Sequence, residues 1–202
     1  MKLVVGLGNP GRQYQGTRHN LGFDVLELLG ARWGAPHRRN RFHGELAELV
    51  LPSGVKLCLL WPHTYMNRSG SSVAEAVSWY GIDPETDLLV VCDDLNLPLG
   101  TLRLRAAGSD GGQKGLRDVI RALGTERVPR LRLGIGPLPP GVDASTFVLS
   151  RFLPEERPVV EEMVQRAADC VETWWRYGIN RAMTTYNVRP SGELPPGRDQ
   201  PG

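Results

Sequence analysis

Leu88 to Cys92 reads LLVVC, five apolar residues in a row with no polar residue alternating among them. Such a strand has to be covered on both faces, which predicts a sheet with helices on each side. Lys2 to Gly6 reads as another short buried strand. A Gly/Pro/Asn turn follows it, and then an apolar helical pattern through Leu21, Val25, Leu28 and Leu29 to Gly30. Phe42 to Leu51 and Val55 to Trp61 flank Pro52-Ser53-Gly54 and read as a hairpin. The helix after it has Ser72 and Glu75 at capping-box spacing and Gly81 past its end. Thr101 to Arg105 and Arg130 to Gly134 alternate with period two, with a helix from Gly115 to Leu123 between them. Glu155 to Tyr177 reads as a long amphipathic helix with an acidic first turn, closed by Gly178. Hairpins and crossovers together predict an α/β fold, a single domain over residues 1–188 with a mixed β-sheet sandwiched between helices. From Arg189 the chain runs RPSGELPPGRDQPG. That segment has almost no apolar content, so a disordered tail over 189–202 is expected.

With 202 residues, 41% of them hydrophobic, the chain is long enough for one well-buried core. A formal net charge of only +2 means that a polyanionic partner has to be met by a local patch. Cys58, Cys92 and Cys170 are odd in number, lack metal-ligand spacing and sit in apolar runs, so they read as buried thiols. No stretch approaches the roughly 20 apolar residues of a membrane span, and a cytoplasmic, reduced protein is expected.

In open α/β sheets the ligand crevice lies beyond the carboxyl ends of the strands. Three loops in such places are rich in functional groups. The first carries Asn9, Tyr14, His19 and Asn20; the second carries His63, Tyr65, Met66 and Asn67; the third opens with Asp93-Asp94. A carboxylate ending one strand can orient a histidine held after another, leaving the imidazole to deprotonate water while amide side chains hold a carbonyl. The other two histidines, His37 in a basic linker and His43 near the start of a strand, lie outside these loops. Taken singly, each feature also fits a plainer role: His19 flanking a helix, Asp93-Asp94 in a turn, Asn9-Pro10-Gly11 as turn chemistry.

Two phosphate-loop readings fail on spacing. Gly6, Gly8 and Gly11 spell G-x-G-x-x-G, but Pro10 interrupts the turn and no acidic residue ends a second strand at the required distance. In the Gly-rich segment from Ala106 to Asp118, Lys114 precedes Gly115 instead of Ser or Thr, which excludes a Walker loop. Arg103 and Arg105 share one face of their strand, as do Arg130 and Arg132 of theirs. This reads either as a solvated or guarded edge or as a phosphate clamp.

The runs VVGLGNPGRQYQGTRHNLGF (Val4 to Phe23), PHTYMNRSG (Pro62 to Gly70) and DDLNLPLG (Asp93 to Gly100) resemble bacterial-type peptidyl-tRNA hydrolase. The likeness continues through GGQKGLRD and RLRLGIG and covers nearly all of residues 1–188. It implies a monomeric α/β enzyme that hydrolyses the ester of prematurely released peptidyl-tRNA and uses no metal or cofactor. It assigns His19 as general base and Asp93 as its support, with Asn9 and Asn67 binding peptide and helping to hold the carbonyl and water. Met66 would line the peptide channel, and Tyr14 and Asn20 would belong to the substrate site. Arg105 and Arg132 fall at the family's tRNA phosphate contacts. The family's usual His-Asn pair is replaced here by Gln113-Lys114, so that Lys114 stands where a peptide-binding amide is usual. A lysine donates hydrogen bonds but accepts none. Relatives of this fold also include an RNA-binding splicing factor, the alternative to an enzyme. An amidase or esterase with a Ser or Cys nucleophile lacks its nucleophile elbow here.

Overall fold

The computed structural model describes residues 1–35, 37–51 and 54–187. Seven strands form one sheet: β1 (Lys2–Gly6), β2 (Arg39–Arg41), β3 (Gly44–Val50), β4 (Lys56–Pro62), β5 (Leu88–Pro98), β6 (Leu102–Arg105) and β7 (Arg130–Gly136). Their spatial order is β2-β3-β4-β1-β5-β7-β6. β4, β1, β5 and β7 run parallel, while β2 and β3 on one side and β6 on the other pair antiparallel. The sheet is therefore mixed, as the hairpin and crossover signals predict.

Side-chain alternation along the central strands divides the core in two. Val4, Leu89 and Val91 point to the face covered by α1 (Leu21–Arg32), and by α5 (Arg157–Tyr177) and α6 (Ile179–Tyr186). Leu3, Val5, Leu88, Val90 and Cys92 point to the face covered by α2 (Ser69–Tyr80) and α3 (Lys114–Leu123). Each fully buried Val or Leu contributes about 1.5–3 kcal/mol, which is why the uninterrupted apolar run Leu88 to Cys92 in β5 demands both layers. Cys58, Cys92 and Cys170 are buried free thiols, as expected.

The first helix packs directly on backbone. A Cβ on Gly22 would stand 2.5 Å from the Leu7 amide nitrogen and from the Val91 carbonyl oxygen, and one on Gly6 would stand 2.3 Å from the Gly22 carbonyl oxygen. Close approach of helix to strand thus accounts for Gly6 in the G-x-G-x-x-G run.

Two helix starts differ from the sequence reading. α2 begins at Ser69, and Ser72 lies fully buried inside it, so the capping box does not form. A 3-10 turn over Met66–Arg68 feeds straight into the helix, and the Gly70 N–H donates to Asp118 Oδ2 on α3 at 2.8 Å. A distant carboxylate takes the place of the local cap. α5 begins at Arg157 with Pro158 in its first turn and no acidic residue there. Glu156 precedes the helix, accepting from the Leu153 N–H at 2.7 Å and from the Arg18 guanidinium at 2.6 Å. The strand β2 and the helices α4 (Ala144–Val148) and α6 were not foreseen. Pro52 and Ser53 of the expected hairpin turn, and the expected tail, lie outside the described residues. Among the described residues no helix is long and apolar enough to cross a membrane.

Candidate active site

Because β4, β1 and β5 are parallel, the loops leaving their carboxyl ends converge. They wall a cleft of about 580 Å³, which Val148 and Leu149 at the end of α4 also line. His19 enters it on a 3-10 turn, Arg18–Asn20, immediately before α1. Its Nδ1 lies 2.8 Å from Asp93 Oδ2, with His19 12% and Asp93 2% exposed. An Nδ1–H donated to that carboxylate leaves the Nε2 lone pair available. The other Asp93 oxygen, Oδ1, accepts from Gln113 Nε2 at 3.0 Å. Both oxygens of the buried carboxylate are bound.

Asn9 is positioned as firmly. Its backbone N–H donates to Asn20 Oδ1 at 2.9 Å, and Asn20 Nδ2 donates back to the Asn9 carbonyl at 3.0 Å. The Met66 N–H donates to Asn9 Oδ1 at 2.8 Å. A backbone N–H can only donate, so Oδ1 is the bound end and the Asn9 NH₂ is left for the cleft it lines.

Met66, Asn67 and Lys114 line the same cleft. Asn20, expected in the substrate site, does not: it is 3% exposed and spends its amide on the Asn9 backbone, so it supports Asn9 from behind. Tyr14, half-buried in the 3-10 turn Arg12–Tyr14, is also outside the lining. His63 is exposed outside the cleft, its ring 6.3 Å from that of Phe23, which leaves His19 as the cleft histidine among the described residues.

The adjacent aspartates divide their labour. Asp94 accepts from the Asn96 N–H at 2.8 Å and from Arg132 at 3.2 Å, and Arg132 also donates to the Ser109 carbonyl at 2.6 Å. Arg130, expected on an open polar face beside Arg132, is instead 1% exposed. Its guanidinium donates to the carbonyls of Gly108, Ser109, Glu126 and Val128, and burial lowers its pKa. It organises the Gly-rich segment from inside. Arg103 and Arg105 are exposed on β6 at the sheet edge, with no ion pair among the described residues.

Sequence reasoning missed Gln113 and the strain at Tyr65. Gln113 is the N-cap of α3, its Oε1 accepting from the Leu116 N–H at 2.7 Å. A glutamine next to a helix start gives no warning that its other end reaches the buried Asp93 carboxylate. Tyr65 has φ 60° and ψ 157°, a region otherwise nearly confined to glycine. It stands 52% exposed at the cleft lip. Such strain persists where the surroundings enforce it, here between β4 and the turn that carries Met66 and Asn67.

The arrangement supplies an oriented imidazole and an amide donor in one cleft, which Lys114 also lines. The chain matches the family model described as peptidyl-tRNA hydrolase over residues 3–193. It is 49% identical over 187 residues to a peptidyl-tRNA hydrolase of Chloroflexus aggregans, covering 93% of this chain and 99% of that one. It is 47% identical over 190 residues to one of Chlorobaculum parvum, covering 93% and 98%. A crystal structure of peptidyl-tRNA hydrolase from Acinetobacter baumannii superposes with a TM-score of 0.85 at 36% identity, covering 93% of this chain and 95% of that one.

Proposed function

The chain belongs to the peptidyl-tRNA hydrolase family and hydrolyses the ester between peptide and tRNA, and we propose that it does so by general-base attack of water with His19 as the base. His19 Nε2 takes a proton from a water whose oxygen attacks the ester carbonyl carbon. The carbonyl electrons move onto oxygen, which the Asn9 NH₂ stabilises as charge develops. The bond to the ribose 3′ oxygen then breaks, and the proton held on Nε2 passes to that leaving oxygen. Asp93 keeps the ring in the tautomer that exposes Nε2 and offsets the charge that the ring gains. The observation that carries this reading is the 2.8 Å contact between His19 Nδ1 and Asp93 Oδ2 at the floor of an amide-lined cleft.

Asn67, Met66 and Lys114 meet the peptide in this reading. Arg105 contacts a tRNA phosphate, and Arg132, already tied to Asp94 and Ser109, stiffens the neighbouring loop and offers its remaining edge. The substrate arises at ribosomes, which supports action in the cytoplasm. A monomer predicts sedimentation as a single species of 22.3 kDa.

Single-turnover hydrolysis of purified peptidyl-tRNA tests the chemistry. His19→Ala lowers the rate by roughly 10²–10⁴ with the fold retained. Asp93→Asn lowers it less, because an amide still holds the ring. A folded His19→Ala protein with near-parental turnover would remove His19 from the mechanism.

A further inference from the structure

We propose that Gln113 is a positioning residue for the catalytic pair: its side chain clamps the Asp93 carboxylate to the N-terminus of α3 and so fixes the plane in which that carboxylate meets His19. The inference rests on the general-base reading above and adds to it the element that holds the pair in place.

A carboxylate turns readily about its last torsion, whose energy profile is broad. Held by His19 alone, Asp93 would have one anchor and freedom to rotate. Gln113 supplies the second anchor, Nε2 to Oδ1 at 3.0 Å, opposite the Oδ2 that meets His19 at 2.8 Å. Gln113 is itself immobilised at its other end, because Oε1 accepts from the Leu116 N–H at 2.7 Å. It is 9% exposed, and its Nε2 also rests 3.1 Å from Met66 Sδ. The path from imidazole to helix is therefore continuous: His19, Asp93, Gln113, then the first turn of α3.

A primary amide suits the position because it offers a donor to Asp93 and an acceptor to the helix without titrating. An imidazole, which resemblance to the family makes usual at this position, carries a protonation equilibrium of its own. A glutamine adds no further titrating group beside the pair. The other charged groups around them are Asp94 with Arg132 on β5 and β7, Arg18 with Glu156 beside the turn carrying His19, and Lys114 at the start of α3.

The alternative is that Gln113 serves only as a helix cap. Gln113→Glu probes the contact with Asp93 while keeping the cap, and Gln113→Ala separates the two roles. Glutamate keeps the size and the acceptor for the Leu116 N–H, and a negative charge suits a helix N-terminus. It replaces the donor to Asp93 with a second carboxylate, which favours imidazolium at His19 and disfavours charge on the acid pair. The experiment is the kcat–pH profile of the full chain on peptidyl-tRNA, with proton titration of His19 followed by NMR. The positioning role predicts that the acid limb moves to higher pH by about one unit, that kcat near neutrality falls several-fold, and that KM stays within about twofold. Superimposable profiles and His19 titrations for parent and Gln113→Glu would overturn the proposal.

Gln113→Ala provides a second test if the glutamate variant does not fold. It should lose kcat about tenfold, with KM unchanged and imidazole exchange broadened. Parental kcat in a folded Gln113→Ala protein also overturns the proposal. Failure of the general-base reading looks different: there the His19 titration moves in Gln113→Glu while the kcat profile stays still. That result keeps Gln113 as the clamp and removes His19 as the base.

Discussion

Asp24 lies in the first turn of α1, where the helix dipole favours a carboxylate, yet burial pushes its pKa up to about 6, with Glu27 adding repulsion. The folded protein thus binds this proton more tightly than the unfolded chain does. The stabilisation that this provides is fully present below the ordinary value of 3.8 and is lost as pH rises through about 6. Asp24→Asn should therefore raise unfolding free energy at pH 8 by about 1–2 kcal/mol, the displacement at about 1.4 kcal/mol per pH unit discounted for partial exposure. At pH 4 the gain should shrink severalfold. Urea denaturation at the two pH values measures the difference, and an equal gain at both would assign the effect to something other than the charge. At this same scale the residue types His19, Asp93, Asn9 and Asn67 were legible, since few side chains suit such a site, although Asp93 and Asp94, expected to open a loop, lie within β5, which runs on to Pro98. The supporting bonds were not. That Asn20 holds Asn9, or that Gln113 holds Asp93, depends on how far a side chain reaches across a loop, which spacing along the chain does not encode.

Among the elements, the contact of α2 with α3 bears directly on the site. A Cβ on Gly70 would fall 2.3 Å from the Asp118 carbonyl oxygen and 2.8 Å from the Ala122 Cβ. Gly70→Ala should force the two helices apart and cost about 1–3 kcal/mol, the range for overpacking a filled core. It should also lower activity more than stability alone explains, because the turn carrying Met66 and Asn67 leads into α2 and Gln113 begins α3. Thermal unfolding paired with kcat on peptidyl-tRNA tests this, and a stable, fully active Gly70→Ala protein would refute it. Element types and most boundaries were legible because apolar periodicity is a local signal. The start of α2 was not, since its cap is a carboxylate 48 residues away. Nor was β2, whose Arg39, Asn40 and Arg41 show no apolar alternation and join the sheet only by pairing with β3.

Over the whole molecule, a net charge of +2 means that binding a polyanion depends on where charge is concentrated. Arg103 and Arg105 stand on the outer strand β6, whereas Arg130 is consumed internally and Arg132 is partly neutralised by Asp94. Arg105→Ala should raise KM for peptidyl-tRNA and reduce the salt slope by about one counterion, leaving a minimal ester without the phosphate unaffected. Arg132→Ala should lower kcat as well, because Asp94 and Ser109 lose their strut. An unchanged salt slope in both variants would exclude a phosphate contact. The division of the core by one shared sheet has a further consequence for how the molecule comes apart. Cys170 lies in the layer of α1 and α5, Cys58 and Cys92 lie in that of α2 and α3, and all three are 0% exposed. Burial raises the pKa of each thiol, that of Cys170 to about 12, so a labelling reagent reaches them only during an opening excursion. The protein thus carries a native clock on each side of its partition. With the partition common to both layers, the two layers should open together, and alkylation followed by mass spectrometry should find the three thiols marked at one matching rate. Early labelling of Cys170 alone would mean that the α5 side can lift off while the strands hold.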